Sequence, residues 1–154
     1  MAIYLKSDTF QGNVTATSHE DSVHVHHLNF EVNRAALMNV GNTRNRIPGN
    51  PNLSVVSFSK PIDNASNKLF ELACNGEVLD QLKFSITRTG SKLESYAEYI
   101  LHDVMVSHFA TTMSEHSPPS ENINLSYTRL EVHYLGEQNA PMRSSYDLKQ
   151  AELV

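Results

Sequence analysis

A single cysteine, Cys74, rules out an intrachain disulfide, and the chain contains no tryptophan. With six Gly and six Pro in 154 residues, the chain shows no low-complexity run and no internal repeat at a fixed period. Apolar runs are only a few residues long, far below the roughly 18–20 needed for a membrane-spanning helix, so no membrane insertion is expected. The start, Met1 to Lys6, turns polar at Ser7-Asp8-Thr9 and lacks a basic n-region and an apolar h-region, so it does not read as a signal peptide. Charge is also sparse: 19% of residues are charged, and twelve Lys+Arg against seventeen Asp+Glu leave −5. That balance argues against phosphate-backbone binding, and no nucleic-acid partner is expected. With 40% hydrophobic residues the chain reads as one folded domain over residues 1–154, made in a reducing compartment.

What is present is mostly strand. Val23, Val25, Leu28, Phe30 and Val32 alternate with polar residues, with a phase slip that predicts one long strand bulged at His26 or His27. Leu53 and Val55 followed by Val56 and Phe58 predict a second strand with a similar slip. Leu82, Phe84 and Ile86 form a half-buried strand that ends in the Thr89-Gly90 turn of a hairpin. The returning strand, residues 96–106, is apolar on both parities, which predicts a central strand or one covered by a partner. Ile123, Leu125 and Tyr127, then Leu130, Val132 and Tyr134 in the opposite phase, predict a last long bulged strand. Repeated bulges favour a coiled sheet closing into a barrel.

One segment has helical spacing. Asp63-Asn64-Ala65-Ser66 offers capping oxygens, Leu69, Leu72 and Ala73 share a face, and Asn75-Gly76 supplies the stop. The predicted fold is therefore mainly β, a compact barrel or two-sheet sandwich with one flanking α-helix and an extended loop arm. The arm is residues 34–52, asparagine-rich, with Arg34, Arg44 and Arg46 and no acidic residue. Taking its +3 from the total of −5 leaves −8 on the remaining chain. Such reversal suits an arm of one subunit lying on an acidic surface of another.

Catalytic signatures are scarce. His24 and His26 share a strand face and could begin a zinc or nickel site, yet one strand supplies no further ligands, and a solvated or inter-subunit polar face is the plainer reading. No G-x-S-x-G occurs, and the stretch from Gly41 to Gly49 lacks the Gly-Lys-Ser/Thr ending of a phosphate loop. Cys74, beside Ala73 in the predicted helix, reads as a small buried hydrophobe. Residues 109–120, with Pro118-Pro119, read as a long polar turn or one lip of a binding surface. No cofactor and no enzymatic activity are expected; a monomeric β-barrel binding a small ligand or carbohydrate stays open beside an assembling structural protein.

The order of motifs resembles the Hcp family, the haemolysin-coregulated proteins of the bacterial type VI secretion system. The resemblance rests on Ser57-Phe58-Ser59-Lys60 with Asp63, then Ser66, Leu69 and Ala73-Cys74, then Arg88-Thr89-Gly90 and Val106-Ser107. It continues through Glu121-Asn122 with Leu125 and Tyr127. Both ends, Ala2 to Lys6 with Gly12 and Ser145 to Gln150, are also similar, so nearly the whole chain is covered. The resemblance implies hexameric rings that stack into the inner tube of a contractile machine, with a spike protein, sheath and baseplate as partners. Small effectors would ride in the lumen. It also implies a protein that is cytoplasmic before firing and then secreted without a signal peptide. The arm's role in subunit or ring contacts is transferred to Arg34, Arg44, Arg46 and Ile47. Met113 and Ser114 are the candidate lumen contacts. With no further segment after Val154, a fused toxin domain is not expected.

Overall fold

The computed structural model describes residues 1–38, 40–41, 46–90, 93–136 and 141–154. In chain order they form β1 (Ala2–Lys6), β2 (Val23–Val25), β3 (His27–Asn29), β4 (Val32–Met38), β5 (Arg46–Leu53), β6 (Val56–Pro61) and α1 (Ser66–Asn75). Then follow β7 (Val78–Thr89), β8 (Leu93–Ser114), β9 (Ser117–Ser126), β10 (Arg129–Tyr134), β11 (Met142–Asp147) and β12 (Glu152–Leu153). All pairings are antiparallel.

The 22-residue strand β8 organises the sheet. Its first half lies between β7 and β10, and its second half pairs with β9. One route runs from β8 through β7 and β1 to β2, and the other through β9 and β6 to β3. The routes meet at His26, the residue between β2 and β3, whose N–H donates to the Ser59 carbonyl at 2.8 Å. The wall is thus barrel-like, and its circuit closes through the chain at this corner. The slip predicted at His26 or His27 is this corner: the chain changes sheet partner from β1 to β6, so two short strands replace one bulged strand. The other two predicted phase slips have the same cause. Ser54-Val55 separates β5 from β6, and Tyr127-Thr128 separates β9 from β10. A phase slip in sequence marks a bulge and a change of sheet equally well.

The two apolar parities of β8 are buried in succession rather than together. Leu101 is fully buried on one parity, and Val104 and Val106 on the other, with Asp103 at φ 50° between them. The partner β7 changes parity at the same level, between Leu79 and Leu82. The strand is central, as predicted, and its inner face switches where it passes from one neighbour set to the next.

Leu5, Val23, Leu82, Phe84, Leu101, Ile123 and Leu125 form the centre of one core. The Phe58 and Phe84 rings meet edge to face at 5.5 Å. Gly12 is required by a close approach: a Cβ there would stand 2.3 Å from the Ser22 carbonyl oxygen. Helix α1 buries Ser66, Leu69 and Leu72 and leaves Cys74 exposed, which overturns the buried reading of that cysteine. The predicted capping oxygens act one step away from the cap. Ala65 holds the N-cap position without a side-chain bond, Asp63 Oδ1 accepts from Ala65 N–H at 3.0 Å, and Ser66 Oγ accepts from Asp63 N–H. Gly76 ends the helix at φ 68°, with its N–H on the Leu72 carbonyl.

Polar side chains from three separate segments meet inside. Lys60, 0% exposed, places its Nζ 2.6 Å from Glu121 Oε2 and 2.8 Å from Asp63 Oδ1, and it donates to Ser66 Oγ and to the Pro61 carbonyl. Ser66 Oγ also donates to Glu121. All three lysine protons have acceptors, so the charge is compensated where water cannot reach. This network joins β6, the start of α1 and β9. Two motifs far apart in the chain therefore share a structural reason.

Candidate functional site

Most of the arm's described residues are strand rather than loop. Residues β4 and β5 pair as a separate two-stranded ribbon, with a register shift between Arg34 and Ala36 and with Arg46 and Ile47 opposite Met38 and Leu37. Pro48 and Pro51 fit this strand because no third strand pairs with it among the described residues. Every residue of β4 is exposed, including Leu37 at 67% and Met38 at 79%. An isolated pair of strands has no core of its own and is marginal alone. Its exposed apolar side chains are what a surface buried in an assembly would carry.

Of the residues assigned to subunit contacts, Arg34, Arg46 and Ile47 lie on this ribbon, while Arg44 lies outside the described residues. Met113 and Ser114 are on a different hairpin. Residues 109–120 are not a loop: β8 runs on to Ser114, turns at Glu115-His116 and returns as β9, with register shifts on the way. Met113 is 69% exposed near the tip, and Ser114 and Ser117 share a hydroxyl hydrogen bond. The segment's polar composition hid a strand because, beyond Phe109, which packs on the core's edge and against Phe70, residues 111–119 are exposed on both faces.

An apolar groove of about 290 Å³ opens beside the ribbon's base. Phe30, Val32 and Leu53 form one wall, and Leu130, Val132 and Tyr146 the other. Arg34 stands at its edge, so one residue predicted from charge belongs to a surface that sequence reading missed. The signal was present only as scattered apolar residues on four separate segments. Phe30 and Tyr99 meet edge to face at 5.2 Å beneath it.

The outer face of β8 and β10 is polar. Glu131 accepts from His102 Nε2 at 2.6 Å, from His133 Nε2 at 3.0 Å and from Arg129. Burial pushes the Glu131 carboxyl up, but the three donors outweigh it and hold it below the ordinary glutamate range. A carboxyl depressed in the fold contributes stability that is present above its unfolded pKa and lost as pH falls through the folded value. Glu131→Gln should therefore lower the melting temperature at pH 7, and the gap to the parent should shrink as pH falls below about 4. A gap that stays constant from pH 7 to pH 3 in thermal melts would remove this account.

The histidine pair is a polar surface feature. His24 and His26 are both exposed and their rings meet edge to face at 5.3 Å. Among the described residues no group of three or more His, Cys, Asp or Glu side chains is arranged to hold a metal ion.

Known structures share this architecture. A structure described as a type six secretion system protein superposes with a TM-score of 0.91 at 21% identity, over 99% of each chain. Hcp1 from Salmonella typhimurium gives 0.83 at 21% identity, over 99% of this chain and 98% of that one. A type VI secretion system effector from Yersinia pestis gives 0.77 at 19% identity, over 94% and 98%. No curated protein sequence matches this chain significantly. The sequence profile described as "Type VI secretion system effector, Hcp" matches residues 4–134, a span that contains the buried Lys60 network, the ribbon and the β8–β9 hairpin. The chain belongs to the Hcp family of type VI secretion system effectors, secreted tube proteins that are structural parts and not enzymes.

Proposed function

We propose that this chain forms hexameric rings that stack into the expelled inner tube of the secretion machine. The observation that carries the reading is the β4–β5 ribbon, which holds exposed Leu37 and Met38 and excess positive charge on a molecule that is otherwise negative. In a ring or stack, a neighbour's acidic surface would cover it. Cyclic closure requires two complementary patches on each subunit, and the ribbon with the apolar groove at its base supplies candidates for both. The spike protein, sheath and baseplate would be the tube's partners. Small effectors would be its cargo, with Met113 and Ser114 as contacts. On this reading the protein is cytoplasmic until firing and leaves the cell without a cleaved signal.

Light scattering on a sizing column at two protein concentrations tests the ring. The expected mass is close to six times the 17.3 kDa chain. A monomer at both concentrations would count against self-assembly and favour a small-ligand binder using the apolar groove.

A further inference from the structure

A second cleft, of about 350 Å³, lies on the other side of the sheet between β1, β7, β8 and the turn before β2. Its lining is unlike that of the apolar groove. Lys6 and Lys83 reach it from adjacent strands, opposite each other in the β1–β7 register. Ser22 and His19 come from the turn and Ser95 from β8.

Donor capacity in this cleft exceeds the acceptors present. Each lysine ammonium carries three protons. Lys6 gives one to the Glu20 carbonyl at 2.7 Å, and Lys83 gives one to Glu98 Oε1 at 2.7 Å. The Ser22 hydroxyl is more telling: the residue is 1% exposed and its Oγ has no hydrogen-bond partner. A buried hydroxyl left unpaired is costly, so the site is incomplete as it stands. The Glu20 carboxylate accepts from the Ser18 N–H at 3.2 Å and makes no hydrogen bond to Ser22.

The turn that brings these groups together is held in an uncommon conformation. Ser18 and Asp21 both have positive φ, at 70° and 62°, and neither is glycine. Hydrogen bonds from His19 N–H to the Ala16 carbonyl and from Asp21 N–H to the Val14 carbonyl fix it. Backbone held this way concentrates where a segment positions side chains for a ligand. The His19 ring is stacked on Tyr4 at 4.7 Å, with its Nε2 3.5 Å from Ser95 Oγ.

We propose that this cleft binds a phosphate-type oxyanion, with Lys6 and Lys83 supplying charge and Ser22 and Ser95 supplying hydroxyl donors. Two ammonium groups, Lys6 and Lys83, and one carboxylate, Glu98, line the cleft, with the Glu20 carboxylate at its margin, close enough to act on His19. A tetrahedral anion offers acceptors toward β1, β7, β8 and the turn at once, which a planar carboxylate does not. The His19 environment agrees with this: burial lowers its pKa, the Lys83 charge lowers it further and Lys6 adds to that, while Glu20 and Glu98 oppose them. A bound anion would offset the lysines and stabilise the imidazolium, so His19 would titrate at higher pH.

The test is an NMR titration of the His19 ring in inorganic phosphate and in chloride at matched ionic strength, with phosphate affinity measured by calorimetry. The expected results are an upward move of the His19 midpoint in phosphate only, and saturable binding that weakens about tenfold or more in Lys83→Gln, the loss of one charge-assisted contact. Ser22→Ala should fold as well as the parent, because it removes an unpaired hydroxyl, yet bind phosphate less tightly. Circular dichroism establishes that both variants fold. An unchanged His19 midpoint, or phosphate binding that Lys83→Gln leaves intact, would mean an adventitious ion only and overturn the proposal.

Discussion

Glu121→Ala should bring the isolated subunit close to unfolding. The substitution leaves the Lys60 ammonium at 0% exposure facing a void where its 2.6 Å partner stood. Removing one partner of a buried ion pair costs about 3–5 kcal/mol, because the remaining charge keeps its desolvation penalty. Whole domains are stable by only about 5–15 kcal/mol. Asp63 softens the loss, since its Oδ1 stays 2.8 Å from Lys60, but Asp63 also accepts the Ala65 N–H and cannot move freely. For a domain of this size the expected fall in melting temperature is about 10 °C or more.

The triple variant Lys60→Met/Asp63→Asn/Glu121→Leu separates this account from simple loss of packing. It leaves no unpaired charge in the network, and the asparagine oxygen can still accept the Ala65 N–H, so it should be more stable than Glu121→Ala despite carrying more changes. Urea melts at concentrations below those of assembly measure both, because assembly would add its own stabilisation. A Glu121→Ala loss under about 1 kcal/mol, or a triple variant less stable than the single, would refute a compensated buried charge as the reason for the network.

Charge reversal within residues 34–52 should have the opposite profile, abolishing assembly while sparing the subunit. Arg44→Glu with Arg46→Glu removes two of the three positive charges in residues 34–52 and adds two negative ones. Arg46 lies on a ribbon that pairs with no third strand among the described residues, so subunit stability should change by less than about 0.5 kcal/mol. Stacking of rings, read by electron microscopy and by sedimentation, should be lost, because like charges facing across an interface cost several kcal/mol. Parent assembly should also weaken as salt rises, since screening shortens the reach of these charges to about 8 Å at physiological ionic strength. Stacks that survive both the reversal and high salt would take the ribbon's charge out of the assembly mechanism.

Sequence and structure divide the information along a physical line. Local periodicity was enough for the strand class, for the Thr89-Gly90 hairpin and for helix α1, whose bounds follow from Leu69, Leu72 and Gly76. These signals are carried by residues within one or two turns of each other. The collinear motifs marked the family that the profile over residues 4–134 bears out.

What local reading lacked was knowledge of partners. Exposure of Cys74 depends on which helix face meets β8, and the strand character of residues 109–120 depends on pairing between β8 and β9 rather than on a core. The phase slips at His26, Ser54-Val55 and Tyr127-Thr128 fixed where each strand ends, but only the assembled sheet decided that they are changes of neighbour. The sequence by itself determined the β-rich class, helix α1 and the charged segment, because backbone preference and apolar spacing are short-range. Only the tertiary structure decided that Lys60, Asp63 and Glu121 share one buried network and that Lys6, Ser22, Lys83 and Ser95 share one cleft, because burial and charge pairing arise between residues up to about a hundred positions apart.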